Sequence, residues 1–188
     1  MVDGEVMSNT LNFVAISGSL RKGSANASLL RAASAIAPPN ITITLYEGVG
    51  ALPQFNPDIE QDPPPVVEAL RETLRTCDGI IIASPEYAHG VPGAIKNALD
   101  WVVGSTDLFG KPVALINASG RAVHAQAALT EIVTTMGWNV VEQASPVIAV
   151  AGKDYQAADI AGDPAISAPL LAAILALAQA ARSAHEDT

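Results

Sequence analysis

Three short apolar runs, each ended by small polar residues, limit what this chain can fold into more than any other feature. Residues 11–17 read Leu-Asn-Phe-Val-Ala-Ile-Ser before Gly18-Ser19, residues 79–83 read Gly-Ile-Ile-Ile-Ala before Ser84, and residues 112–118 read Pro-Val-Ala-Leu-Ile-Asn-Ala before Ser119-Gly120. A strand with one wet face alternates apolar and polar residues, whereas a nearly continuous short run suits a strand buried on both faces. Such strands belong to parallel sheets whose crossovers are helices.

Helical periodicity fills the gaps between the runs. Leu29, Leu30, Ala33, Ile36 and Ala37 predict a helix over residues 25–37, with Ser24 as N-cap and Pro38-Pro39 as a stop. Val66, Val67, Leu70 and Leu74 mark a second helix. Ile95, Leu99 and Val102 mark a third that opens near Pro92, a residue tolerated in a first turn. Residues 122–136 read as a fourth helix closed by Gly137, and residues 166 to about 185 as the last. Residues 41–45 alternate and predict a strand with one drier face, while 140–141 and 147–150 are two candidate pieces of a fifth strand. Residues 47–65 form a long loop rich in Pro, Asp and Gln, of a length that is often functional, and residues 154–164 are poorly patterned.

The expected architecture is a single domain over residues 11–185, a three-layer α/β/α sandwich on a five-stranded parallel sheet, preceded by a flexible leader at residues 1–10. The strand order that fits is the flavodoxin-like 2-1-3-4-5, whose ligand crevice lies at the carboxyl ends of strands 1 and 3. Three loops then converge on one edge: residues 18–26, 84–93 and 119–120.

Composition excludes several functions. A formal net charge of -9 disfavours nucleic acid and anionic membrane as partners, and 4% aromatic residues leave little surface for stacking bases. The single cysteine, Cys77, rules out an internal disulfide and a Cys-rich metal site. Residues 1–10 carry no basic residue and no apolar core, unlike a secretory signal. The most apolar stretch, 166–181, is about a turn short of the ~20 residues a membrane span needs, and it contains Pro169. A cytoplasmic protein without membrane insertion is expected.

The first loop, Gly18-Ser19-Leu20-Arg21-Lys22-Gly23-Ser24-Ala25-Asn26, offers hydroxyls, an amide side chain, two basic residues and the free amides of a helix start, a combination suited to phosphate. Gly18 and Gly23 have P-loop spacing, but Ser24-Ala25 stand where a P-loop needs Lys and Ser/Thr. A nucleoside triphosphate would lack its charge partner there, and a single terminal phosphate fits better. The alternative is an ordinary strand-to-helix turn capped by Ser24. The second loop, punctuated by Pro85, Gly90, Pro92 and Gly93, can present backbone amides to a flat ligand.

These residues carry a resemblance. Gly18-Ser19-Leu20-Arg21-Lys22-Gly23-Ser24-x-Asn26, followed by Pro85-Glu86-Tyr87 and Pro92-Gly93-x-x-Lys96-Asn97-Ala98-Leu99-Asp100-Trp101, resembles the NADPH-dependent FMN reductase family, in particular its chromate and quinone reductase branch. Leu52-Pro53-x-Phe55-Asn56-Pro57-Asp58 and Gly110-Lys111-Pro112-Val113 are similar to that family as well. The resemblance implies FMN as cofactor, with its phosphate held by the loop of Ser19, Leu20, Arg21, Lys22, Gly23, Ser24, Ala25 and Asn26. It implies an isoalloxazine lined by Pro85, Glu86, Tyr87 and Ala88 and closed by Ser119 and Gly120. Hydride from NADPH or NADH would pass through FMN to a quinone, another flavin, or an oxidised metal or dye, in a homodimer or homotetramer. An electron carrier that does not oxidise NAD(P)H, or a module without flavin, are the alternatives. The sequence departs from the family pattern at Ala88, where Asn is usual, and after Ser119, where Arg121-Ala122-Val123-His124 replace a Gly-rich run.

No catalytic acid or base is assigned, because the cofactor carries the reaction. His89 and His124 read as proton donor or flavin contact on one side and as ordinary exposed histidines on the other. Their spacing with His185 and Cys77 shows no metal motif, so no metal site is expected. Cys77 reads as a quiet thiol. Glu86 reads as a base or as a group that orders the loop or meets a partner subunit. Arg21 and Lys22 are candidates for the 2′-phosphate of NADPH. Lys96, Asn97 and Asp100 read as a solvated helix face, and Trp101 as core.

Overall fold

The computed structural model describes residues 10–186, so the expected leader lies, apart from Thr10, outside the described residues. Strands β1 (Leu11–Ser17), β2 (Ile41–Tyr46), β3 (Gly79–Ala83), β4 (Pro112–Leu115) and β5 (Asn139–Val140) form one sheet in the order β2-β1-β3-β4-β5, with every pairing parallel. The helices are α1 (Ala25–Ile36), α2 (Pro65–Thr76), α3 (Gly93–Asp100), α4 (Val123–Thr135), α5 (Ala157–Gly162) and α6 (Pro164–Glu186).

Successive strand residues point to opposite faces, and here both faces are dry. Phe13, Ala15, Ile81, Ala83 and Ala114 face one core with Leu29, Leu30 and Ala33 of α1, Ile160 of α5, and Leu170, Ile174 and Leu177 of α6. Val14, Ile16, Ile80, Ile82, Val113 and Leu115 face the other with Leu70 and Leu74 of α2, Ile95 and Leu99 of α3, and Leu129 and Val133 of α4. Alanines at 15, 32, 33, 83, 114, 118, 144, 178 and 181 belong to the first core, which explains how 49% hydrophobic residues suffice with few aromatics. Trp101 is fully buried in the second core, as expected.

Several details depart from the sequence reading. Strand β4 stops at Leu115, and Asn117 meets Val147 in an isolated parallel bridge. Ser145 Oγ accepts from Leu115 N (2.9 Å) and donates to Val141 O (2.8 Å), so a side chain replaces part of a ladder on this edge. Residues 154–164 contain α5, whose start is held by a reciprocal capping box between Gln156 and Asp159. Helix α6 has 23 residues and is long and apolar enough to cross a membrane by length and composition. It instead buries Leu170, Ile174, Leu177, Ala178 and Ala181 in the first core, and Ala173 is buried on it as well.

The long loop after β2 is a strap fastened to α3. Asn97, expected on a solvated face, is buried: its Oδ1 accepts from Phe55 N (2.8 Å) and its Nδ2 donates to Pro53 O (2.9 Å). Trp101 Nε1 donates to the same Pro53 carbonyl (2.8 Å), and the Phe55 ring meets Trp101 edge-on at 5.1 Å. The Leu52-Pro53-x-Phe55 and Asn97…Trp101 motifs are thus two halves of one clasp.

Candidate cofactor site

The carboxyl ends of β1, β3 and β4 lie side by side. Ser17 pairs with Ala83, Gly18 N donates to Ala83 O (2.9 Å), and Ile116 N donates to Ile82 O (2.9 Å). Glycine is required at 18 by this approach, because a Cβ there would lie 2.3 Å from Ser84 Oγ and 2.8 Å from Ser84 Cβ. The sheet order reverses between β1 and β3, so the three expected loops meet at the switch point where open α/β sheets take ligands.

In the first loop, Ser17 Oγ accepts from Ser19 N (3.3 Å), Ser19 Oγ accepts from Arg21 N (3.3 Å), and Ser24 N donates to Arg21 O (3.1 Å). Ser24 is a buried N-cap whose Oγ accepts from Ala27 N (3.4 Å). The amides of Ala25 and Asn26 at the start of α1 find no acceptor among the described residues. Asn26 is buried as well, and its Oδ1 has no hydrogen-bond partner among the described residues. A buried acceptor without a partner costs about 1–3 kcal/mol, a penalty a ligand would lift.

Asn26 is one of the residues that line a cavity of about 290 Å³, with Ser84, Pro85 and Glu86, Ala118 and Ser119, and Arg121, Ala122 and Ala151. Ser19, Leu20, Arg21 and Lys22 line a neighbouring cavity of about 190 Å³ with Arg31, Tyr46, Glu47 and Val49. The expected site residues therefore divide between two adjoining hollows. Gly23, Ser24 and Ala25 form the turn between them and line neither, and Tyr87, Ala88 and Gly120 also stand outside both linings. The cavity contribution of Ala151 had no signal in the sequence. It arises because Val150 N and Ala151 N both donate to Ala118 O (3.0 and 2.9 Å), folding residues from beyond β5 over the end of β4.

The second loop is a tight turn. Tyr87 and Gly90 exchange both backbone hydrogen bonds at 3.0 Å around Ala88 and His89, whose φ values are +49° and +59°. Two successive positive φ values define the mirror-type turn that favours Asn and Gly. Ala88 thus carries backbone strain rather than a missing side-chain contact alone.

Glu86 ties this loop to α4. Ala122 at the start of α4 offers no side-chain cap, and Glu86 Oε2 takes that role, accepting from His124 N (2.8 Å) and Ala125 N (2.9 Å). The Ala125 amide, followed by that of His124, holds the Glu86 carboxyl below its ordinary range against a smaller opposing push from burial. Of its possible roles, ordering the loop is the one the geometry fills. His89 and His124, unrelated by spacing in the sequence, stack with ring centroids 4.5 Å apart. Cys77 is buried, its thiol pushed up by burial and its Sγ directed at Leu74 O (3.2 Å), far from nucleophile chemistry.

Comparison with known proteins agrees with this geometry. The sequence profile of the NADPH-dependent FMN reductase family matches residues 11–153. A quinone reductase of Escherichia coli (strain K12) is 41% identical over 121 residues, 62% of this chain and 64% of that protein. An NAD(P)H-dependent FMN reductase of Pseudomonas aeruginosa is 38% identical over 125 residues, 64% of this chain and 67% of the relative. The match to the Escherichia coli relative thus spans less than two thirds of that protein's length. Among solved structures, a flavoenzyme NAD(P)H:(acceptor) oxidoreductase from Paracoccus denitrificans superposes with a TM-score of 0.73 at 27% identity, covering 92% of this chain and 98% of the other. With the sheet order, the three converging loops and the profile match in agreement, the chain belongs to the NADPH-dependent FMN reductase family.

Proposed function

We propose that this chain binds FMN and works as an NAD(P)H-dependent oxidoreductase that delivers electrons to a quinone. The observation that carries the proposal is Asn26, which lines the cavity at the β1/β3 switch point and whose buried Oδ1 has no hydrogen-bond partner among the described residues. The donor set suits FMN. The Ala25 and Asn26 amides and the dipole of α1 favour an anion at the helix start, and Ser19, Arg21 and Lys22, on the other hollow, precede it in the same loop. Asn26 serves a ribityl hydroxyl through Oδ1, or a phosphate oxygen through Nδ2 when its amide is turned over.

In this reading Ser19, Leu20, Arg21, Lys22, Gly23, Ser24, Ala25 and Asn26 hold the phosphate end. Pro85, Glu86, Tyr87 and Ala88 flank one side of the ring, and Ser119 with Gly120 the other. Bound FMN supplies the redox chemistry, accepting hydride from NADPH or NADH and passing the electrons on. The protein places and shields it. Tyr87 N and Gly90 N are consumed by their own turn, which leaves other amides of this loop, that of the cavity-lining Glu86 among them, without an acceptor among the described residues. Glu86, committed to capping α4, orders the ring wall instead of moving protons.

The quinone acceptor rests on the names of the relatives; flavins and oxidised metals or dyes are further acceptors of the same chemistry. A homodimer or homotetramer is supported by the mostly apolar groove of Leu99, Val103, Ile132 and Met136 between α3 and α4, with Phe109 79% exposed. A cytoplasmic location follows from the same reading.

Steady-state oxidation of NADPH by FMN-loaded protein with a benzoquinone tests the proposal. Turnover is expected, and FMN-loaded protein without turnover would instead be an electron carrier. Replacing Ser24 and Asn26 together by Ala is expected to weaken FMN binding tenfold or more, about 1.4 kcal/mol. Unchanged affinity would overturn the phosphate-loop assignment.

A further inference from the structure

The strained turn after β3 and the start of α4 bring together three metal-ligating side chains that lie far apart in sequence. One ligand atom from each of Glu86, His89 and His124 lies within 4.8 Å of the other two. Both histidines are exposed, so their rings can turn without disturbing the core, and their stacking already holds them side by side. A four-coordinate zinc shell with bonds of about 2.0–2.1 Å sets its ligands roughly 3.3 Å apart. Binding one ion would need the two imidazoles to turn out of their stacked arrangement and bring a nitrogen each toward Glu86.

We propose that Glu86, His89 and His124 form a site for one divalent transition-metal cation at the rim of the cofactor cavity. Glu86 is prepared for it. Its Oε2 is fixed by the His124 and Ala125 amides, and its Oε1 makes no hydrogen bond among the described residues, leaving one oriented oxygen for the ion. Oriented ligands of this kind are what supporting hydrogen bonds provide in metal sites. The turn that carries positive φ at Ala88 and His89 sets the His89 ring on that of His124 at the start of α4. Two imidazoles and one carboxylate suit Zn²⁺, Co²⁺ or Ni²⁺ and are a poor set for Ca²⁺ or Mg²⁺, which prefer all-oxygen shells.

Three protein ligands leave a fourth tetrahedral position free. Glu86 lines the cavity, so the ion would lie at its mouth and clamp the loop after β3 to α4. This inference does not depend on the FMN reading, because every ligand is a side chain of this chain.

The test is calorimetric titration of tag-free, chelator-treated protein with zinc chloride, in both the flavin-free and the FMN-loaded form. One zinc per chain is expected, with affinity reduced about tenfold or more in both His89→Ala and His124→Ala at unchanged far-UV circular dichroism. His185, whose Nε2 lies 3.2 Å from Asp78 Oδ1, is the other histidine–carboxylate pair, and His185→Ala is expected to bind zinc like the parent. Cobalt chloride should give the visible d–d bands of four-coordinate cobalt, and these should vanish in the His89/His124 double variant. The proposal is overturned by absence of zinc binding, by undiminished binding in the double variant, by loss in His185→Ala, or by equal binding of calcium chloride.

Discussion

Asn97→Ala cuts the clasp that holds the strap to α3, and its cost can be worked from three hydrogen bonds. Asn97 accepts from Phe55 N and donates to Pro53 O, while Trp101 Nε1 donates to the same carbonyl. Removing the amide leaves Pro53 O with one partner and the half-buried Phe55 N–H with none. A net hydrogen bond contributes about 0.5–1.5 kcal/mol and a stranded buried donor costs about 1–3 kcal/mol, so the expected loss is about 2–3 kcal/mol. Trp101→Phe removes the other donor to Pro53. In the double variant that carbonyl is stranded too, so its loss should exceed the sum of the two single losses by about 1 kcal/mol. Urea unfolding followed by far-UV circular dichroism on parent, both single variants and the double variant gives all four corners, and the cavity left by the smaller ring cancels in the cycle. Because Glu47 and Val49 of the strap line the same hollow as Ser19, Leu20, Arg21 and Lys22, a loosened strap also withdraws support from the first loop. FMN retention should fall alongside stability. A loss below about 0.5 kcal/mol for Asn97→Ala, or simple additivity, would refute the clasp.

Two further substitutions address the loops themselves. Gly18→Ala drives a Cβ into Ser84 and should cost about 1–3 kcal/mol with weaker FMN binding, as overpacking does; Ser84→Gly in the same chain should restore much of both, measured by urea unfolding and FMN titration. Ala88→Asn should stabilise the protein by about 0.5–1 kcal/mol, since Asn tolerates the left-handed backbone that costs Ala energy. A thermal midpoint that falls on that substitution would show that the turn is not strained as described.

Much of the fold was legible because its signals are local. The runs at 11–17, 79–83 and 112–118 could not be amphipathic surface strands, and Ser24, Pro38 and Gly137 bounded helices through their backbone preferences. What escaped depended on distant partners. α5 buries only Ile160 and shows no apolar stripe, and β4 ends early because Asn117 turns to Val147. Asn97 looked solvated because nothing near it in sequence reveals that Phe55 and Pro53 descend on it. The same holds at the site. Gly18, Ser24 and the switch point were readable, whereas Glu86 capping α4, Ala151 in the cavity wall and the stacking of His89 on His124 join segments more than thirty residues apart.

The central claim is that FMN bound at the β1/β3 switch point is reduced by NAD(P)H. Its most direct test is the visible spectrum of the purified protein after addition of FMN, followed anaerobically through a titration with NADPH and then NADH. A bound yellow chromophore that bleaches stoichiometrically with one of these donors, and whose colour returns on adding a benzoquinone, is the expected result. Protein that binds no FMN, or that holds it and is not reduced by either nucleotide, would contradict the claim.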